Sequence, residues 1–289
     1  MENLSIVIPV FNEEKALPET VKKILELLNK YPLTEVVLVD DASTDHSAQI
    51  LKSAKHGQMR IISHHKNQGY GAAIKTGIKN SVYEYVAITD ADGSYPYDKI
   101  PVLYEKLRAE HADMAIGARI GKKVEIGLFR KIPKYFLRKL AEYLSEEKIP
   151  DLNSGLRIVN KELVVKSLKY LPQGFSFTST LTLILLSNNH EIIYVPIDYY
   201  KRKGKSKIRP VHDTLGFLQL IIRTVMFFNP LKVFLPLSGF FFAISLLVLL
   251  VSYFGGRVMD ITTILLFVTG LHFLALGLLA DLIDKRLTK

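Results

Sequence analysis

Asp90 and Asp92 end the apolar run of VAITDADGSYP (Val86–Pro96), one residue apart and followed by a glycine. On an extended backbone, side chains at i and i+2 share a face, so the two carboxylates converge. Two anions so placed repel unless a cation or a proton is shared between them. No His or Cys accompanies them. An all-oxygen donor set suits Mg²⁺ or Mn²⁺, which take one or two carboxylates and complete their shell with water and substrate phosphates. A calcium loop counted from Asp90 needs Gly at its sixth place and Glu at its twelfth. Those places hold Tyr95 and Pro101. The phosphate loop G-x-x-x-x-G-K-S/T is absent, and Gly69, Gly71 and Gly77 have the wrong spacing for G-x-G-x-x-G. The competing reading of these eleven residues is an acidic turn, or a cap for a helix beginning near Pro96.

The neighbouring elements favour the site. LSIVIPV (Leu4–Val10) has the β-branched character of a strand buried on both faces. A turn, FNEEK, leads to a helix over Leu17–Lys30 with Val21, Ile24, Leu25 and Leu28 at helical spacing. A second strand, Glu35–Val39, runs into DDASTDHS, where Ser43 or Thr44 is placed to cap the next helix. MRIISH reads as a third strand, followed by the Gly-rich turn and helix of NQGYGAAIKTGIKN, and YVAIT as a fourth. Strands alternating with helices predict a parallel sheet with helices on both faces, binding its ligand beyond the carboxyl ends of the strands. Asn12-Glu13-Glu14, Asp40-Asp41, Asn67-Gln68-Gly69 and Asp90-Ala91-Asp92 follow four successive strands and so describe one site.

The 289-residue chain has a net charge of +10, which points to an anionic partner. Between Ile120 and Arg209 there are 18 Lys and Arg against 8 Asp and Glu, so this stretch holds an excess equal to the whole chain's. No nucleic-acid module accompanies the charge, and a metal–phosphate site facing a basic patch fits phosphorylated ligands better than nucleic acid. The absence of cysteine excludes disulfides, thiolate metal sites and a Cys nucleophile. MENLSIVIPV has neither the basic region nor the apolar core of a cleavable signal peptide, so the first two hundred residues are expected on the cytosolic side. Leu231–Phe254 and Ile261–Leu279 are each long and apolar enough to cross a bilayer of about 30 Å, and the short GGRVMD makes them a hairpin. Lys232, Lys285, Arg286 and Lys289 flank the spans against Arg257 alone in the turn, which places both ends in the cytoplasm. Asp213–Asn229 mixes polar and apolar residues and reads either as an interfacial helix or as a buried helix of the preceding domain, and the first is carried forward. The expected organisation is a cytosolic domain over 1–210, a juxtamembrane helix over 211–229, and a transmembrane hairpin with a short tail over 230–289.

IVIPVFNEE, VLVDDASTD, NQGYGAAIKTG, ITDADGSYP and AIGARIG, in this order and spacing, resemble family 2 glycosyltransferases of the GT-A fold. DLNSGLRIVNKE, GFSF and VPIDYYKRKGKSKI narrow the resemblance to polyprenol-phosphate sugar transferases of the dolichol-phosphate mannose synthase type, over roughly residues 4 to 209. The C-terminal hairpin matches the membrane anchor of several members. The resemblance implies that Pro9, Phe11 and Glu13 cradle the nucleotide and that Asp40 reads its base or ribose. Asp90 and Asp92 would hold the metal against the donor's diphosphate, with Ser94, where mannosyl members often carry Gln, as a further contact. Arg202, Lys205, Ser206 and Lys207 would form a basic loop over the diphosphate. Arg119, together with Arg130 or, in its place, Lys131 or Lys134, would hold the acceptor's phosphate, for which the planar fork of Arg is suited. Asp151 sits where many members place an acid near the acceptor. An alcohol acceptor would need a general base there. A lipid phosphate would not, its second pKa being about 6, so Asp151 is either a base or a residue that positions Arg157 or the acceptor.

The expected activity is metal-dependent, inverting transfer of a hexose from a nucleotide-diphosphate sugar, of GDP-mannose or UDP-glucose type, to polyprenyl or dolichyl phosphate at the cytoplasmic membrane face. A homo-oligomer is compatible with this reading. The rivals are a family 2 enzyme with another lipid-linked or glycan acceptor, and a non-catalytic membrane scaffold of the same fold. The chain has no Trp and therefore no Q-x-x-R-W motif of processive synthases, and two spans are too few for an export channel.

Overall fold

A computed structural model of the protein describes residues 3–54, 56–121, 131–174, 176–202, 230–255 and 260–287; for 131–137, 260 and 284–287 it describes the backbone. Strands β1 (Leu4–Val10), β2 (Thr34–Asp40), β3 (Met59–Ser63) and β4 (Tyr85–Ile88) alternate with helices α1 (Leu17–Lys30), α2 (Ser47–Ser53) and α3 (Tyr70–Asn80). After α4 (Ile100–Ala109) come β5 (Met114–Ala118), α5 (Lys131–Ser145), β6 (Arg157–Asn160), α6 (Lys161–Ser167), α7 (Phe177–Ser187) and β7 (Ile192–Pro196). The seven strands form one sheet in the order β3-β2-β1-β4-β6-β5-β7, parallel except for β6.

Side-chain alternation divides the core between two faces of this sheet. Leu4, Ile6, Ile8, Val36 and Leu38 pack with α1 and α4 on one side, whereas Val7, Val37 and Val39 pack with α3 and α7 on the other. Burying each such side chain contributes about 1.5–3 kcal/mol, so strands with apolar residues on both faces are stable only between two helical layers. Gly77 lets α3 lie close on β1, since a Cβ there would sit 2.3 Å from Val7 Cγ1. Ser43 and Thr44 do not cap α2, which starts at Ser47 after His46; they bind the first loop instead, as described below.

The reversal of β6 decides where the site's last pieces lie. Arg157, its first residue, pairs with Ile88 near the carboxyl end of β4 and with Ile116 of β5. The segment Asp151–Leu156 therefore enters the sheet at the edge where Asp90 and Arg119 emerge. β7 runs parallel to β5, which delivers Ile197–Arg202 to the same edge.

The C-terminal helices α8 (Pro230–Gly255) and α9 (Asp260–Leu287) form a hairpin. They contain the two described segments long and apolar enough to cross a membrane, Pro230–Gly255 and Ile261–Ile283, and little of either is buried. Their contact uses small residues, as in membrane helix pairs. Gly270 and Gly277 face Phe242 and Phe234, and Ser238 and Ser245 donate to the carbonyls of Gly270 (2.8 Å) and Thr263 (2.9 Å). The segment expected to form an interfacial helix, Asp213–Asn229, lies outside the described residues.

Candidate active site

The first two strand-end loops are knitted into one cradle. Asn12, with a left-handed φ of 51°, donates its backbone N–H to Ser43 Oγ (3.0 Å) and accepts from Thr44 N (2.7 Å) through its side chain. Glu13 N donates to Ser47 Oγ (2.8 Å) and Glu14 N to Asp45 Oδ2 (3.1 Å). Pro9 is half-buried at the end of β1 and Phe11 half-buried at the start of the cradle. Asp40 is buried and accepts from Ser43 N at 3.1 Å. Asp41 serves a different purpose. Its carboxylate accepts from His64 Nδ1 (2.7 Å), Gln68 N (2.9 Å) and Gly69 N (2.8 Å), tying β2 to the Gly-rich turn. His64 is thereby structural.

That turn sets Tyr70 at the start of α3, where its hydroxyl donates to Asp90 Oδ1 at 2.9 Å. Gly69, at φ 100°, and Gly71 let this turn lie against the 172–173 backbone, since a Cβ at Gly71 would meet the Pro172 carbonyl at 2.4 Å and one at Gly69 the Gln173 carbonyl at 2.7 Å. Tyr97 donates to the Asp90 carbonyl (2.7 Å), and Thr20 to that of Ala91 (3.0 Å). Gly155 lies so near that a Cβ would sit 2.9 Å from Asp90 Oδ2. Burial first, and then the charge of Asp92, push the Asp90 carboxyl up to about 7.

Asp92 Oδ1 accepts from Ser94 N (3.0 Å) and Ser94 Oγ (2.5 Å), while its Oδ2 lies 3.4 Å from Arg202 Nε. Arg202 also pairs with the buried Glu13. Glu13, Asp92 and Arg202, drawn from three distant parts of the chain, thus meet. Ser94 is fully buried and its hydroxyl is spent on Asp92, so the described structure makes it a support for that carboxylate. Among the described residues no three His, Asp or Glu side chains converge as a metal cluster. The Asp90–Asp92 pair nevertheless fits a hard divalent ion that takes the rest of its shell from water and phosphate: the donors are carboxylate oxygens, and their mutual repulsion would be relieved by a cation.

Arg119, just past β5, is gripped by Asp151 in a bidentate pair, Nε to Oδ2 at 2.7 Å and Nη2 to Oδ1 at 2.8 Å. Asp151 also accepts from Arg119 N (3.0 Å) and Asn153 N (3.1 Å). Burial would raise the Asp151 carboxyl, but these bonds and the Arg119 charge outweigh it and hold the group below its ordinary value. Arg157 is not the partner of Asp151. It is fully buried and donates to the Ser154 carbonyl, the Thr178 carbonyl (2.6 Å) and Thr182 Oγ1 (2.9 Å), bracing the 151–156 segment against α7. Burial lowers its pKa to about 10.

Arg130, Lys205, Ser206, Lys207 and the side chains of Lys131 and Lys134 lie outside the described residues. Tyr70, Tyr95, Gly155 and Tyr199 belong to the described site and lie inside the quoted motifs, but sequence reasoning gave none of them a role; Tyr97, one residue past ITDADGSYP, belongs to it as well.

Residues 5–167 match the family described as glycosyl transferase family 2. The chain belongs to that family. Residues 229–285 match a second family, the GtrB C-terminal hairpin. This family 2 glycosyltransferase is 28% identical to the undecaprenyl-phosphate 4-deoxy-4-formamido-L-arabinose transferase of Pectobacterium atrosepticum, over 99% of this chain and 89% of the relative. It is 27% identical to the dodecaprenyl-phosphate galacturonate synthase of Rhizobium johnstonii, covering 98% and 88%. The low-salt glycan biosynthesis hexosyltransferase Agl6 of Haloferax volcanii is 26% identical over 73% of this chain, which spans about half (51%) of that relative's length. Among solved structures, glucosyl-3-phosphoglycerate synthase from Mycobacterium tuberculosis, in complex with Mn²⁺, UDP and glucosyl-3-phosphoglycerate, superposes with a TM-score of 0.61 at 19% identity, covering 78% and 80% of the two chains. The same enzyme is known with Mg²⁺ and UDP. The family 2 glycosyltransferase described here thus has a GT-A fold and a C-terminal hairpin.

Proposed function

We propose that this enzyme transfers a hexose from a nucleotide-diphosphate sugar to a polyprenyl phosphate at the cytoplasmic membrane face, inverting the anomeric carbon. The observation that carries the reading is the convergence at one sheet edge of the Asp90–Asp92 pair and the Arg119–Asp151 pair, one suited to a cation with a diphosphate, the other to a second phosphate. Relatives named for undecaprenyl- and dodecaprenyl-phosphate chemistry along nearly the whole chain support it, as does the apolar hairpin.

In this reading Pro9, Phe11, Glu13 and Asp40 receive the nucleotide, and Arg202, with Lys205, Ser206 and Lys207, covers the diphosphate. Asp90 and Asp92 would hold Mg²⁺ or Mn²⁺, which when bound offsets the charge of the leaving nucleotide. Arg119, with Arg130 or Lys134, orients the acceptor so that one of its phosphate oxygens attacks C1 as the bond from C1 to the diphosphate oxygen breaks. That oxygen is already anionic, so no proton must be removed. Asp151, occupied by four donors and held ionised by Arg119, suits a positioning role better than a general base. Residues 1–210 would form the cytosolic catalytic domain, 211–229 an interfacial segment and 230–289 the anchor, with both termini cytoplasmic.

The test is to offer UDP- and GDP-sugars with a polyprenyl phosphate to the purified protein, with Mn²⁺, with Mg²⁺ and with EDTA. Metal-dependent formation of a polyprenyl-phosphate sugar is expected. Equal turnover in EDTA would remove the metal assignment, and transfer only to acceptors lacking a lipid phosphate would remove the acceptor.

A further inference from the structure

The Gly-rich turn before α3 is anchored on both sides. Gly69 N donates to Asp41 Oδ2 at the tail of β2 (2.8 Å), and Ala72 N to the Gln173 carbonyl ahead of α7 (3.1 Å). Between these anchors Tyr70 opens α3. Its ring packs against the core on the α3–α7 side of the sheet, and its hydroxyl donates to Asp90 Oδ1 at 2.9 Å. The other oxygen of that carboxylate lies against Gly155, where a Cβ would come within 2.9 Å of Oδ2. Tyr97 holds the main chain of Asp90 through its carbonyl, at 2.7 Å. Tyr70 holds the carboxylate.

We propose that Tyr70 is a positioning residue for the metal site, fixing the rotation of the Asp90 carboxylate and thereby favouring Mg²⁺ or Mn²⁺ over Ca²⁺. This rests on the proposed function, which gives the Asp90–Asp92 pair its ion. The physical case is rigidity. The terminal torsion of an aspartate is broad and roughly twofold, so a carboxylate without a partner samples many orientations. Asp92 is already fixed by two donors from Ser94. With the phenol on Asp90, both carboxylates present their oxygens in set directions. Such a pair suits a small ion that demands near-ideal octahedral geometry. Ca²⁺ instead takes about six to eight oxygens in a flexible shell and accepts a carboxylate through one oxygen or both. It therefore gains less from a carboxylate locked in one orientation. Because the Tyr70 ring carries the packing and its hydroxyl the bond to Asp90, replacing Tyr by Phe separates the two.

The test uses the full chain in detergent and measures by calorimetry its affinity for UDP or GDP, once with Mg²⁺ and once with Ca²⁺. Tyr70→Phe should weaken binding with Mg²⁺ about tenfold, as for the loss of a group that orients a metal ligand. Binding with Ca²⁺ should weaken much less, so the preference for Mg²⁺ narrows. Wild-type affinity with Mg²⁺ in Tyr70→Phe overturns the proposal. An equal loss with both ions overturns it too, since that is the result expected of a hydroxyl that merely supports the fold. A wild-type chain that binds neither nucleotide with Mg²⁺ or Mn²⁺ would instead sink the proposed function beneath it.

Discussion

Asp92 and Asp90 differ in how the protein holds them, and the difference is measurable. Asp92 is supported by two donors from Ser94 and approached by Arg202. Asp92→Asn keeps the shape but removes a charge that would balance a diphosphate, so turnover should fall about a hundredfold or more with the circular dichroism spectrum unchanged. Asp90 is raised from its ordinary 3.8 to about 7 by burial and by Asp92. A carboxyl raised on folding binds its proton more tightly in the folded chain, so stability is present at low pH and lost as pH rises from about 4 through about 7. The ceiling on that loss is about 4 kcal/mol. In EDTA the melting temperature should therefore drop over this window for the wild type and much less for Asp90→Asn; parallel pH curves would refute the assignment. Asp151 tests the opposite case. Losing one charge-assisted bond costs about 1.5–3 kcal/mol, so Asp151→Asn should raise the acceptor KM about tenfold or more while the pH–rate profile keeps its shape. Disappearance of an acid limb with KM unmoved would make Asp151 a base after all.

At the scale of elements, the site depends on loops that reach each other only because their strands end together. Gly155 shows how tight the meeting is, with space for no Cβ between Asp90 Oδ2 at 2.9 Å and the Tyr95 ring at 3.1 Å. Gly155→Ala should cost about 1–3 kcal/mol of stability through overpacking, and it should weaken Mn²⁺–nucleotide binding because the Asp90 carboxyl is what must move. Calorimetry showing wild-type affinity would mean that Asp90 is not held by this contact. The chain between β1 and β4 was legible because doubly covered parallel strands such as β1 and β2 are apolar at most positions, and their polar tails stand out. The segment 151–156 was not placed by the same logic. Its nearness to Asp90 depends on β6 running antiparallel, and four residues, RIVN, carry no mark of direction.

For the whole molecule, the hairpin and the catalytic domain meet at a defined point. Lys232, at the start of α8, pairs with Glu146 at 2.5 Å, and Tyr143 of α5 donates to the Lys232 carbonyl at 3.3 Å. This brings the two apolar helices up to the end of α5, which begins inside the basic run Lys122–Lys139. A chain truncated after Arg209 should still bind nucleotide and metal, lose most transfer to long polyprenyl phosphates in vesicles, and retain more with a short soluble acceptor. Full vesicle activity at low protein concentration would reduce the hairpin to a tether. Within the hairpin, a Cβ at Gly270 would lie 2.7 Å from the Phe242 ring. Gly270→Leu should accordingly separate α8 from α9 and lower the melting temperature in detergent, leaving nucleotide binding intact.

Taken by itself, the sequence determined the alternating strands and helices, the four polar strand ends, the pair of carboxylates and the two apolar spans. Each of these is written in local periodicity or composition, and none requires knowledge of what lies opposite. Only the tertiary structure decided partners. It gave Arg119 rather than Arg157 to Asp151, placed Arg202 against Glu13 and Asp92, turned Ser94 inward onto Asp92 and enclosed the site with four tyrosines. Those pairings join residues up to 189 positions apart, set by strand order and the reversal of β6. A hydrogen bond or ion pair depends on distances of a few ångströms, which sequence spacing fixes within one turn or strand and leaves open between elements.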